Sequence, residues 1–268
     1  MPVACWNSKT NTMLLSSFFP TTALAAALLL TCTISHAQTA TELMQSGDIF
    51  DAQFKAADAL RYYLPAEKLE PANVALLVRI ARQYRHLMSD ATSSTEKLKI
   101  GGVALDYGKR AARLAPNDSD AQISPAITYG RMLPFQGNKE QVAATPLIKA
   151  AADRAIALNP RNDVAWHVLG RWHQVLANVG TIKHVLGGLI YGKLPTTTNE
   201  AAIGCFERAI AINPRRPRHF IELGRTYAQM GKSAEARKFI NKGLTMPDME
   251  KDDAEVKQRG RDDLAKLP

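Results

Sequence analysis

Strand signatures are missing from this chain, and so are the residue sets that the commonest enzymes need. No stretch alternates apolar and polar residues with the period of two that a half-buried strand requires. No His-Glu-x-x-His, Gly-x-Ser-x-Gly or Cys-x-x-Cys motif occurs, which removes the usual marks of zinc peptidases, serine hydrolases and thiol redox centres. Gly231-Lys232-Ser233 resembles the tail of a phosphate-binding loop, but Thr226 stands where that loop needs its first glycine. His167 and His173 are six residues apart on one expected helix and point in different directions, so they do not share a metal ion. Cysteine is scarce: Cys5 and Cys32 lie in the N-terminal segment, and Cys205 is left with no partner for an internal disulfide. Its place beside Phe206 in an apolar helical pattern is that of a core residue. Catalysis, a metal and a cofactor are therefore not expected.

Only one long apolar run is present. Lys9 precedes a mostly apolar stretch from Met13 to Ile34, followed by Ser35-His36-Ala37, the layout of a secretory signal peptide with a small-x-small cleavage site before Gln38. Residues 1–37 are expected to be removed, leaving a periplasmic or secreted protein. The formal charge is +9, and Lys9 is the leader's only charged residue, so the remainder keeps a basic surface suited to anionic partners. Lysines and arginines are interleaved with carboxylates along the whole chain, which argues against nucleic acid.

What the chain does have is an internal repeat. Four segments end alike, at Leu114-Ala-Pro116, Leu158-Asn-Pro160, Ile212-Asn-Pro214 and Thr245-Met-Pro247, each reading as a helix end stopped by proline. The spacings are 44, 54 and 33 residues, and Pro71 opens a further unit. Counting forward from Pro71, Pro160 and Pro214, offset six gives Leu77, Trp166 and Phe220, and offset nine gives Ile80, Leu169 and Leu223. Offset ten gives the small residues Ala81, Gly170 and Gly224, and offset thirteen Tyr84, His173 and Tyr227. These offsets share one helix face, with the small residue admitting a partner helix. The unit after Pro116 fits less well, with Gln122, Pro125, Ala126 and Tyr129. The last spacing is near the tetratricopeptide length and the other two carry insertions. The fold expected is an all-α tetratricopeptide right-handed solenoid of about five helix-turn-helix pairs over residues 38–250, with insertions between helices and a capping helix over 251–268. The acidic clusters of that last helix, Asp252-Asp253 and Asp262-Asp263, read as a solvated face.

Several stretches go beyond the generic repeat: Leu169-Gly-Arg-Trp-His173, Gly187-Gly-Leu-Ile-Tyr-Gly-Lys-Leu-Pro195, Phe206-Glu-Arg-Ala-Ile210 and His219-Phe-Ile-Glu-Leu-Gly-Arg-Thr-Tyr227. In these the chain resembles bacterial relatives of the regulator of microtubule dynamics family over roughly residues 40–268. The resemblance implies a non-enzymatic helical protein. Animal members are linked to microtubules, mitochondria and membrane contacts, and in one branch the repeat domain is implicated in binding and moving phospholipid. An exported chain meets no tubulin, so no tubulin partner is expected, whereas lipid binding remains open.

Arginine recurs at one further offset. Eleven residues after Pro71, Pro160 and Pro214 stand Arg82, Arg171 and Arg225, and Arg131 lies one turn beyond the matching place after Pro116. This offset is turned away from the core offsets and toward the concave side of such a solenoid. Arg85 and Arg218 lie near the same face, His167 precedes Arg171 by one turn, and Asp120 is the main acid placed there. Guanidinium forks along a groove suit carboxylate or phosphate, while pairing with acids of neighbouring helices is the structural alternative. Two ligand classes follow: an acidic peptide or protein segment in an open polar groove, or an anionic lipid with its acyl chain under the apolar insertion at 180–199. If ligand binding is the role, reversing Arg171 and Arg225 abolishes binding with little change in stability.

Overall fold

The structure, a computed structural model, describes residues 38–186 and 194–268, and these contain eleven α-helices, one short 3-10 turn and no strand. Ten of the helices form five consecutive antiparallel pairs. They are α1 (Ala40–Asp51) with α2 (Ala56–Leu69), α3 (Val74–Asp90) with α4 (Ser94–Leu114), and α5 (Ser119–Met132) with α6 (Asn138–Leu158). The last two pairs are α7 (Asp163–Leu186) with α8 (Asn199–Ile212) and α9 (Pro217–Gln229) with α10 (Ser233–Leu244), and α11 (Asp253–Leu264) follows. The expected leader lies outside the described residues. No described helix is long and apolar enough to cross a membrane.

The repeat prolines sit just past helix ends. Helices α2, α4, α6 and α8 each end two positions before a proline, and three of the first helices that follow are started by a side-chain cap: Asn73 for α3, where its Oδ1 accepts the Leu76 amide at 3.1 Å, Asp118 for α5, where it accepts the Ala121 amide at 2.8 Å, and Asn162 for α7, where it accepts the Ala165 amide at 3.0 Å, while α9 has no such cap. The expected core offsets are realised. Leu77, Ile80, Leu169, Phe220 and Leu223 are buried, whereas Trp166 is only partly covered and donates its indole N–H to the Pro160 carbonyl at 3.0 Å. The small offset-ten residue is obligatory: a Cβ at Gly224 would lie 2.7 Å from Ile240 and 2.8 Å from backbone nitrogen. Gly231, at φ +74°, ends α9 in the left-handed conformation and leads into α10, so Gly231-Lys232-Ser233 is a helix-to-helix turn.

The extra length of the longer units is taken up mainly by helix extension. Helices α4 and α6 run 21 residues and α7 runs 24, so the start of the 180–199 insertion continues α7. Residues 187–193 lie outside the described set, and Leu194 packs on the cluster built by Trp172, Leu176 and Cys205. The unit after Pro116 stays helical through Pro125, with Gln122 turned back to donate to the Ala112 and Ala115 carbonyls at 2.7 and 3.1 Å.

The C-terminal segment departs from the expectation of a solvated polar face. Val256 and Gly260 of α11 do cover Ile221 and Ile240 of the last pair, as a cap would. But Asp252 and Asp253 are buried, and the turn before them reaches back across the solenoid to α3 and α5. Asp253 builds that turn, its Oδ2 accepting the amides of Met249 and Glu250 at 2.8 and 2.9 Å. The sequence did not reveal this because Arg131 and Arg218, which hold Asp252 and Asp253, are far away along the chain, whereas Asp262 is exposed as expected.

Candidate functional site

The helical period that buries offsets nine and ten turns offset eleven away from that core, where Arg131 and Arg171 line one cavity, Arg82 lines another and Arg225 lines neither. They do not meet solvent unaccompanied. Arg82 donates to Asp51 at 3.2 Å and to Glu250 at 3.1 Å. Arg131 pairs with Asp252 at 3.2 Å, and Arg218 pairs with Asp252 and Asp253 at 2.8 and 2.7 Å. Arg171 and Arg225 both reach Glu222, at 2.8 and 2.9 Å, and Arg225 also holds Asp263 at 2.7 Å. Arg85 makes no ion pair among the described residues and touches only the hydroxyls of Ser124 and Thr128, both at 3.4 Å.

The structural pairing weighed against ligand binding is thus built into the fold, and Asp120 is not the principal acid. The acids that matter are Glu222, Asp51, Asp163 and a C-terminal set of Glu250, Asp252, Asp253 and Asp263. Glu222 falls one turn before Thr226 on α9, and its place beside Arg225 was legible from i to i+3 spacing. The C-terminal set was not, because nothing local says that the chain folds back on α3. Although burial opposes ionisation, the surrounding guanidinium groups hold the carboxyls of Glu222, Glu250 and Asp252 far below the usual range. His86 Nε2 lies 3.2 Å from Glu250, and these two with Asp252 bring their ligand-type atoms within 4.8 Å of one another. Arg82, Arg131, Arg216 and Arg218 already neutralise those carboxylates, so the cluster is an ion-pair network with no charge left for a cation.

His167 lies in a second chain of bonds. His219 Nε2 donates to Asp163 Oδ2 at 2.9 Å, and the two imidazoles meet through their Nδ1 atoms at 3.0 Å. Burial pushes both rings toward the neutral form. With the Nε2 proton of His219 committed to Asp163, its Nδ1 accepts from His167, which leaves His167 Nε2 as an acceptor. His173 is half-buried, bonded to Thr197 and edge-on to Trp172. Cys205 is buried and free, and burial raises its thiol to about 11, so it stays an unreactive core group at neutral pH.

Beside the arginines opens a cavity of about 420 Å³ between α5, α6, α7 and α11. One part of its wall is apolar, made by Ile127, Phe135, Ile148, Val168, Trp172 and Leu176. The other carries Arg131, Arg171, Arg218 and Arg259 with His167, Glu222 and Asp252. Lys97, its ammonium 5.3 Å from the centre of the Phe135 ring, joins them, so five cationic side chains line the cavity against the three carboxylates of Glu222, Asp252 and Glu255. Val175 and Leu176 of α7 complete the lining.

The family model for Regulator of microtubule dynamics protein 1-3 matches residues 40–268. The chain belongs to that family. Among curated relatives it is 27% identical over 197 residues to Regulator of microtubule dynamics protein 1 of Bos taurus, covering 73% of this chain and 62% of the relative. It is 25% identical over 184 residues to Regulator of microtubule dynamics protein 2 of Rattus norvegicus, covering 68% of this chain and 45% of the relative. The chain thus spans about half to two thirds of the length of the curated relatives it matches. Among solved structures, a thermophilic TPR protein of Thermus thermophilus superimposes with a TM-score of 0.61 at 18% identity, over 85% of this chain and 100% of the other. That likeness and the paired helices make this regulator of microtubule dynamics family member a tetratricopeptide solenoid.

Proposed function

We propose that this family member is an exported, non-catalytic binding protein whose ligand is an anionic amphiphile held in the cavity between α5, α6, α7 and α11. The tetratricopeptide fold itself suggests a binding scaffold. The observation that carries the choice of ligand is the division of one cavity into an apolar wall around Phe135, Trp172 and Leu176 and a wall with an excess of cations around Arg131, Arg171 and Arg259. Its volume lies in the range of small-molecule sites. An apolar chain there removes hydrocarbon from water, while a carboxylate or phosphate head is met by guanidinium forks.

An acidic peptide or protein segment is the second reading, and the chain's own C-terminus supports it as a chemical precedent. Glu250, Asp252 and Asp253 lie against Arg82, Arg131 and Arg218 as such a segment would. An outside segment has to displace them first, whereas an amphiphile's head also has Lys97 and the half-exposed Arg259, whose contact with Glu222 is long at 3.5 Å, to meet it. The curated relatives are named for microtubule dynamics; the fold is carried over to this chain and that role is not, because the leader-like segment points to export.

Native mass spectrometry of protein purified from its own host, followed by titration with oleate and with lysophosphatidate, tests the amphiphile. Bound mass in the lipid range and affinity lost in Phe135→Arg support it. Ligand-free protein that binds neither probe, while capturing an acidic peptide through the arginines, selects the second reading. N-terminal sequencing tests export: a first residue of Gln38 is expected, and an intact Met1 on cytosolic protein overturns it.

A further inference from the structure

Arg85 stands apart from the other arginines of the inner face. It is 6% exposed, yet its hydrogen bonds are to two hydroxyls at 3.4 Å, near the outer limit, and among the described residues Glu250 and Asp252 act on it only from beyond ion-pair distance. A guanidinium has five donors and a full charge, and a buried charge without a counter-ion is among the costliest arrangements in a protein. Burial, with Arg131 and Arg82 nearby, outweighs the opposing pull of Glu250 and Asp252 and lowers its pKa to about 9, which still leaves it charged at neutral pH. Arg85 lines a second, open cavity of about 780 Å³ bordered by α1, α3, α5 and the segment before α11.

The same cavity holds unmatched groups of opposite sign. Asp51 gives one oxygen to Arg82, but its Oδ1 is buried without a partner among the described residues. Asp120 pairs with no cation among those residues and accepts only the amide of Asn162, at 2.9 Å. Across the whole lining, five aspartates face three arginines, the reverse of the first cavity. The unmatched groups share one helix: Arg85 lies against Ser124 and Thr128, four and eight residues after Asp120 on α5, about 6 to 12 Å along the helix. Their charges are opposite and they do not meet, so each is left a partner short.

We propose that this cavity is a binding site for a small zwitterion of amino-acid type, its carboxylate on Arg85 and its ammonium on Asp120 and the free oxygen of Asp51. Such a ligand completes both charges at once, whereas a simple anion meets the aspartates and a simple cation meets Arg85. The site is independent of the amphiphile cavity, and neither reading needs the other.

The test uses the chain purified from Gln38 onward and a series of ω-amino acids from glycine to 6-aminohexanoate, with acetate and propylamine as half-ligands, followed by amide chemical shifts and thermal unfolding. At least one member of the series is expected to bind and raise Tm, while acetate and propylamine bind at least about tenfold more weakly. Arg85→Met removes an uncompensated buried charge and is expected to keep or raise the Tm of the free protein while losing the zwitterion. Asp120→Asn, close in shape, and Arg85→Lys, which keeps the charge without the fork, are expected to weaken binding about tenfold or more. Binding of acetate as tight as that of the amino acids, or binding indifferent to Asp120→Asn, overturns the zwitterion. No binding by any of the series, with a sharp fall of Tm in Arg85→Met, assigns the arginine to folding and ends the proposal.

Discussion

A carboxylate that is 1% exposed and faces three guanidinium groups cannot recover hydration when its charge is removed. Glu222→Gln leaves Arg171, Arg225 and Arg259 around a neutral amide, and breaking a buried ionic cluster from one side costs about 3–5 kcal/mol. Urea unfolding checks this, and a loss below about 1 kcal/mol would show the cluster to be solvated. Arg171→Gln is expected to cost much less, because about a third of its side chain is exposed and Glu222 keeps two other partners. Reversing Arg225 is a different matter from what its offset alone suggested. A glutamate there would face both Glu222 and Asp263, so stability is expected to fall together with any binding. At this scale the sequence identified the arginines and left out their acids, because an offset says which way a side chain points and nothing about what folds back to meet it.

Helix α11 carries two kinds of aspartate. Asp253 is fully buried, joins Arg218 at 2.7 Å and ties two backbone amides, whereas Asp262 only accepts from Gln258 one turn away in an exposed contact. Asp253→Ala is therefore expected to cost about 3 kcal/mol or more, and Asp262→Ala less than about 0.5 kcal/mol. Equal costs by thermal or urea unfolding would sink the role given to the turn before α11. The helix pairs themselves were legible because the tetratricopeptide pattern is local: prolines past helix ends, a small residue at offset ten, apolar residues one turn on either side. Leu169 illustrates it, being buried in the largest core cluster, so that Leu169→Ala is expected to cost about 2–5 kcal/mol. Trp166, at offset six in the same helix, is half-covered and expected to cost less. The insertions were located in the sequence but not shaped by it, since spacing between prolines measures added residues and not their conformation, and α4, α6 and α7 absorb many of them as further helical turns.

Across the whole molecule the inner face stores its charge in a form that acid can release. His86, His167 and His219 are held below their ordinary pKa by burial, so the folded chain binds fewer protons than the unfolded one once pH falls below about 6.5. The carboxyls of Glu222, Glu250 and Asp252 are depressed by their arginines, and the same inequality holds for them below about pH 4.5. Both sets act in one direction: their contribution is fully present above the unfolded pKa values and is lost as pH falls through them. The histidines act first, each removing up to about 1.4 kcal/mol per pH unit, and the carboxylates add to the slope further down. Thermal unfolding followed by circular dichroism from pH 7.5 to pH 4 is therefore expected to show Tm falling from about pH 6.5 and steepening below about pH 4.5. Added salt at neutral pH is expected to change Tm little, since screening acts weakly on pairs that are partly buried. A Tm that stays level down to about pH 5 would mean that the three imidazoles are free to protonate in the folded chain. The bonded pair that fixes His167 as an acceptor toward the amphiphile cavity would then not exist as drawn.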